Sequence, residues 1–125
     1  MTIRLLILVA ASVSLSAAAQ ILMKLGMSRP EVRAALNGSA HAIVAVVSAM
    51  ATLPVALGLA AYAGSAVIWL FVLSRLDVSV AYPFVGLGFA LVTFFGVLLF
   101  DEPLTVTRVM GTALVIAGVV LLGRP

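Results

Sequence analysis

The stretch Val80-Ala-Tyr-Pro-Phe-Val-Gly-Leu-Gly-Phe-Ala-Leu-Val-Thr-Phe-Phe-Gly-Val-Leu-Leu-Phe100 decides the fold class. No charge occurs between Asp77 and Asp101. A helix crosses the hydrocarbon core of a bilayer with about 20 apolar residues, and this run is long enough. Its interior is unusual, because Pro83, Gly86 and Gly88 fall within two turns. An interior proline weakens a helix by about 3 kcal/mol and a glycine by about 1. Such residues are expected where a membrane helix bends or where another backbone or a ligand comes close, and Pro83, Gly86 and Gly88 are read as that bend.

Composition agrees with this reading. Of the 125 residues, 65% are hydrophobic and only 9% charged. A soluble domain of this size keeps too much surface exposed to hide so much apolar area. The expected class is an all-α integral membrane protein, with residues 1–125 forming one transmembrane domain. There is no cysteine, and one histidine and four acids leave no metal cluster and no nucleophile–base pair. No metal, no cofactor and no enzymatic chemistry are expected. The net charge of +3 comes from basic residues that flank apolar runs. Anionic lipid headgroups, not nucleic acid, are therefore the expected partners.

Four spans are expected, at about 3–23, 54–74, 79–100 and 106–122. Leu5 to Met23 is uncharged between Arg4 and Lys24. A rival reading makes it a secretory signal cut after Ala17-Ala18-Ala19, but the apolar run continues through that point. Gly26 to Ser39 is the one polar connection, and Pro30-Glu31 permits a short surface helix to Leu36. From Ala34 to Ser74 there is again no charge. That length is too great for one span and too small for two comfortable ones. Pro54 divides it into a short interfacial or re-entrant helix at about 40–50 and the second span. The alternative is a fifth crossing over Ala40–Leu53.

Candidate functional residues lie inside the spans. Ser12, Ser16, Gln20 and Lys24 recur every four residues, a stripe that drifts about 40° per step. Serines in such a helix ordinarily bond back to their own preceding turn. Gln20 cannot do so fully and is expected to face a helix or a cavity. Tyr62, Ser65 and Trp69 share a face of the second span, where Trp69 serves as an interfacial anchor or a pocket wall. Tyr82, Gly86, Phe89 and Thr93 share a face of the third. Gly111 and Gly118, with Ala117 beside them, offer a smooth strip on the last span for close helix or dimer packing. In a four-span topology Arg4, Arg75 and Arg124 fall on one side, and Lys24, Arg29, Arg33 and Arg108 on the other. This near balance fixes no orientation and suits pairing with an inverted partner.

Four pieces in order carry a family resemblance: Ala-Ala-Gln20-Ile-Leu-Met-Lys24; Trp69-Leu-Phe-Val-Leu-Ser-Arg75-Leu-Asp-Val-Ser-Val-Ala-Tyr82-Pro83; Phe84-Val-Gly86-Leu-Gly88; and Asp101-Glu102-Pro103-Leu-Thr, followed by Gly111 and Ile116-Ala-Gly118-Val. The chain resembles the short four-helix members of the drug/metabolite transporter superfamily everywhere but Gly26–Leu53. The resemblance implies a multi-pass protein of the bacterial inner membrane, working as a homodimer or as a heterodimer with a sister subunit. Two branches compete. The small multidrug resistance branch exchanges cations for protons through a glutamate eight residues before the lysine that ends span one. Here that position is Ser16, which cannot share a proton with a cation. The other branch is similar to the subunits that flip undecaprenyl-phosphate-linked sugars, matched by Gln20, Lys24 and Ala81-Tyr82-Pro83. It implies a polyprenyl-phosphate-linked substrate. On that reading Lys24 and Arg75 hold phosphate, and Ser12, Ser16, Gln20 and Tyr82 offer hydrogen bonds. Trp69 or Phe89 stacks on the sugar. The alternatives are a small-solute exporter of the same superfamily and a non-transporting accessory subunit of a glycosylation or transport complex.

Overall fold

A computed structural model of the chain describes residues 2–38 and 41–124. The first helix, α1, spans Ile3–Met27. Thr2 precedes it in an extended conformation, and its Oγ1 accepts the Leu5 N–H at 3.3 Å, satisfying one orphan donor of the first turn. The helix does not stop at Lys24 but continues to Met27, because its last turn packs on the start of the next long helix. Gly26 lies there against Val55.

Two short helices follow, α2 at Pro30–Gly38 and α3 at Ala42–Met50. Ser39 and Ala40, where the polar connection ends and the interfacial helix was expected to begin, lie outside the described residues. At about 1.5 Å per residue the nine residues of α3 reach about 14 Å, roughly half the hydrocarbon thickness. α3 by itself is therefore too short to cross the hydrocarbon core. Ile43, Val44 and Val47 stand exposed on α3.

The next helix, α4, spans Leu53–Leu73, with Pro54 in its first turn where a missing N–H costs nothing. It runs antiparallel to α1 along its whole length. Gly58 marks a close backbone approach: a Cβ there would lie 2.7 Å from Met23 Cγ and 2.9 Å from the Ala19 carbonyl oxygen. Only glycine lets the two backbones come so near.

The third long segment is broken. It begins as α5 (Val78–Ala81), tightens into a 3₁₀ turn at Tyr82–Phe84 and continues as α6 (Val85–Phe100). Pro83 lacks the N–H that would continue the α ladder, and the backbone answers with the tighter winding. Gly86 and Gly88 are fully helical and serve close contact. An added Cβ would meet Val115 Cγ1 at 2.7 Å from Gly86, and Val13 Cγ1 at 3.3 Å from Gly88. α6 ends at Asp101, a non-glycine residue with φ of 50°. A short polar turn leads to α7 (Val106–Leu122), where Thr105 Oγ1 accepts the Arg108 N–H.

α1 is the hub. It packs along α4 on one side and α6 on another, while α7 packs on α6 and the 3₁₀ turn. The buried core gathers Val9, Val13, Val72, Ala81, Phe84 and Val119 at the end of the bundle that holds Arg4 and Arg75. Three segments, Ile3–Met27, Leu53–Leu73 and Val78–Phe100, are long and apolar enough to cross a membrane, and Val106–Leu122 is a shorter apolar helix. Their outward surface is apolar, with Leu70, Phe94 and Leu114 among many exposed large side chains. Lipid is the solvent that such a surface requires. The protein is a multi-pass membrane protein.

Candidate functional site

The antiparallel register of α1 and α4 places Ser12 beside Ser65. The Ser12 hydroxyl donates a buried hydrogen bond of 2.9 Å to the Ser65 carbonyl. This corrects the expectation that the stripe serines bond to their own helix: Ser12 reaches across. Ser65 and Ser74 do bond back, to the carbonyls of Tyr62 at 2.7 Å and Phe71 at 2.6 Å.

A cavity of about 230 Å³ opens beside this link. Ser12 and Ser16 enter it from α1, Tyr62, Ser65 and Trp69 from α4, and Tyr82 with Gly88 from the third segment. Each helix contributes for a local reason. The stripe on α1 repeats every four residues, and 62, 65 and 69 recur at helical spacing on α4. In the 3₁₀ turn side chains three apart eclipse one another. Tyr82 thus stands above Val85, which also lines the cavity. Trp69 is half-buried and packs against the core while it also lines the cavity. Three aromatic rings and three serines, with no Asp, Glu, His, Lys or Arg in the lining, make a neutral site. It suits a polar, hydroxyl-bearing group better than an ion.

The structure brings four expected residues together here: Ser12, Ser16, Trp69 and Tyr82. It sets the other four elsewhere. Gln20 and Lys24 are exposed on α1, away from this cavity. Phe89 is 62% exposed and lines a separate cavity between α6 and α7 with Thr93, Glu102 and Arg108. In that region the Arg108 guanidinium donates to the Pro103 carbonyl at 2.9 Å. Arg75 lies at the end of the bundle opposite Lys24, in a cavity it shares with Arg4. On the small strip of α7, a Cβ added at Gly111 or Gly118 finds no atom within 4 Å among the described residues, although Gly111 also lines the cavity between α6 and α7. The side of α7 that packs internally presents Val115 and Val119 to Gly86. Tyr62 and Ser65 belong to the cavity although only their spacing with Trp69 announced them. Arg4 was read only as the flank of a span.

The model of the family described as Small Multidrug Resistance protein matches residues 48–115. The chain belongs to the Small Multidrug Resistance family. The match begins in α3 and ends in α7, so it covers all of α4 and α6 but not the polar stripe of α1. The chain is also similar to several proteins named probable 4-amino-4-deoxy-L-arabinose-phosphoundecaprenol flippase subunit ArnE. It is 47% identical to that of Pseudomonas syringae pv. syringae over 68 residues, covering 54% of this chain and 63% of the relative. It is 37% identical to that of Pseudomonas savastanoi pv. phaseolicola over 90 residues, covering 72% and 79%. With the Pseudomonas aeruginosa protein (strain UCBPP-PA14) it shares 48% over 56 residues, covering 45% and 49%. The chain thus spans less than two thirds of the first of these relatives and about half of the last. No solved structure matches the chain.

Proposed function

We propose that the protein is a subunit of a flippase that moves a polyprenyl-phosphate-linked sugar, or a related lipid carrier, between the leaflets of the bacterial inner membrane. The neutral aromatic and hydroxyl cavity between α1, α4 and the Tyr82–Phe84 turn carries this reading. A sugar head crossing hydrocarbon needs hydrogen bonds and flat apolar faces along its way, while its polyprenyl tail stays in lipid. Ser12, Ser16 and Tyr82 supply the first, and Trp69 with Tyr62 the second. The names of the relatives support the same substrate class. The cation–proton exchange that resemblance to the small multidrug resistance branch implies finds no carboxylate on α1 to perform it, since Leu5–Met23 is uncharged.

In this reading all four apolar helices span the membrane, α2 and α3 lie at its surface, and basic residues at the span ends meet the phosphate. Lys24 does so at one end and Arg75 at the other, with Gln20 one turn inside Lys24. A second copy or a sister subunit covers the exposed strip at Gly111, Ala117 and Gly118 and the outer stripe residues Gln20 and Lys24. An inverted partner also brings Phe89 to a shared path at the midplane.

The test is reconstitution into proteoliposomes with undecaprenyl-phosphate-linked aminoarabinose, and separately with sister subunits present. Translocation is read by accessibility of the amine to a membrane-impermeant reagent. Protein-dependent labelling of lipid from the far leaflet supports the proposal. Transport of small cations with no movement of the lipid overturns it in favour of a solute exporter. Inactivity under both conditions, with a transferase co-purifying, overturns it in favour of an accessory subunit.

A further inference from the structure

At one end of the bundle the first turn of α1 meets the residues that follow α4. Arg4 and Arg75 line a common cavity of about 760 Å³ there, together with Thr2, Ser74, Leu8 and Phe71. Among the described residues neither guanidinium has a hydrogen-bonded or ionic partner, and no acid lines the cavity. Both side chains are exposed, so water and salt screen their mutual repulsion, but an anion between them is attracted by both charges. The first-turn amides of α1, whose N–H groups have no intrahelical acceptor, add positive potential on the same side. Both arginines stand at the ends of apolar helices, hence at headgroup depth. The deeper wall, Leu8 and Phe71, is apolar. The cationic residues therefore stand at the end of the bundle, with hydrocarbon inward of them. A lipid phosphate has the complementary order. Guanidinium groups match phosphate oxygens by paired N–H donors, which a single ammonium cannot do.

We propose that Arg4 and Arg75 form a headgroup site for the phosphate of a membrane lipid, the place where a lipid substrate is held at one face before its sugar enters the Ser12–Tyr82 cavity. Arg4 to Ser16 is about 18 Å along α1, a distance that a phosphate-linked head bridges by sliding inward along one helix. The site rests on the flippase reading for the identity of the lipid, but not for its phosphate. Lys24, at the far end of α1, is separate from it.

Native mass spectrometry from detergent tests it, with undecaprenyl phosphate, undecaprenol and phosphatidylglycerol offered together. The variants are Arg4→Gln, Arg75→Gln and, as a control that removes one charge elsewhere, Arg33→Gln on α2. The expected result is that wild type keeps undecaprenyl phosphate over undecaprenol, that each cavity variant lowers this retention about 10-fold, and that Arg33→Gln stays within about twofold. Arg75→Lys recovers part of the loss. Unchanged retention in Arg4→Gln and Arg75→Gln overturns the site and leaves the flippase reading standing. If wild type shows no preference for undecaprenyl phosphate over phosphatidylglycerol, that counts against the flippase reading. The site is then upheld by arginine-dependent retention of phosphatidylglycerol and overturned by arginine-independent retention. Displacement of bound lipid by millimolar inorganic phosphate overturns the lipid assignment in favour of a free anion. A salt titration of the wild type is independent of any variant's folding: retention falls as ionic strength rises, and a salt-insensitive complex overturns the proposal.

Discussion

The hydroxyl of Ser12 and the carbonyl of Ser65 join α1 to α4 by one buried hydrogen bond of 2.9 Å, at the edge of the cavity that both residues line. The Ser65 carbonyl keeps its helical partner as well, so loss of Ser12 removes a second bond and not the only one. Polar links between membrane helices average about 0.6 kcal/mol. Ser12→Ala is therefore expected to destabilise the protein by about 0.5–1 kcal/mol in detergent, read by reversible denaturation followed by circular dichroism. A loss above about 3 kcal/mol would mean that Ser12 organises more than this contact.

Gly58 and Gly111 make a controlled pair. A methyl group at Gly58 meets the Ala19 carbonyl oxygen at 2.9 Å, a backbone atom that cannot rotate away. Gly58→Ala is expected to push α4 from α1 and cost about 1–3 kcal/mol, despite the better helix propensity of alanine. Gly111 has open space around it. Gly111→Ala leaves the protomer as stable or gains up to about 1 kcal/mol. Its effect, where α7 meets a second copy, is on association. Cross-linking yield in membranes reads it: a drop with unchanged monomer stability places the partner on this strip, and an unchanged yield removes it from the interface.

The cavity predicts a graded series. Ser16→Leu fills it and removes a donor, and is expected to lower lipid translocation at least about 10-fold while leaving stability within about 1 kcal/mol, since Ser16 is only half-buried and lines open space. Tyr82→Phe keeps the ring and loses the hydroxyl, and should cost less than Tyr82→Ala. Tyr82 is 64% exposed, so neither change injures the core. Equal activity in Ser16→Leu, Tyr82→Ala and wild type would take the substrate away from this cavity.

The sequence made the class of the molecule and much of the cavity readable, for reasons that also explain what it hid. Uncharged runs bounded by charges show where helices go, because the bilayer thickness is fixed. A four-residue repeat shows a stripe, but each step turns it about 40°, so from Ser12 to Lys24 it has moved about 120° around α1. Ser12 and Ser16 therefore share the cavity while Gln20 and Lys24 do not. Phe89 was placed with Tyr82 by counting α-helical turns across Pro83, and the 3₁₀ turn breaks that count. The packing glycines were harder still. Gly86 and Gly88 were singled out and do make close contacts, but Gly111 and Gly118 drew notice by their spacing while Gly26 and Gly58, which did not, pack tightly between α1 and α4. Which face of a helix is covered depends on its neighbour, and nothing within one helix's own sequence states that.

Pro83 offers the sharpest separation of stability from function. In the 3₁₀ turn each residue advances about 120° instead of 100°, so three residues add about 60° of rotation between α5 and α6. That rotation sets Phe84 into the core while Tyr82 faces the cavity. Alanine at this position supplies the missing N–H to the Ser79 carbonyl and permits one continuous α-helix from Val78 to Phe100. Pro83→Ala is expected to hold or raise helix stability, by up to about 1 kcal/mol, while turning Tyr82 out of register with Ser12 and Trp69. Translocation should fall at least about 10-fold. Circular dichroism with thermal denaturation gives the first quantity and the proteoliposome assay the second. A variant that is both stable and fully active would show that the turn follows from proline chemistry alone and does no work in orienting Tyr82.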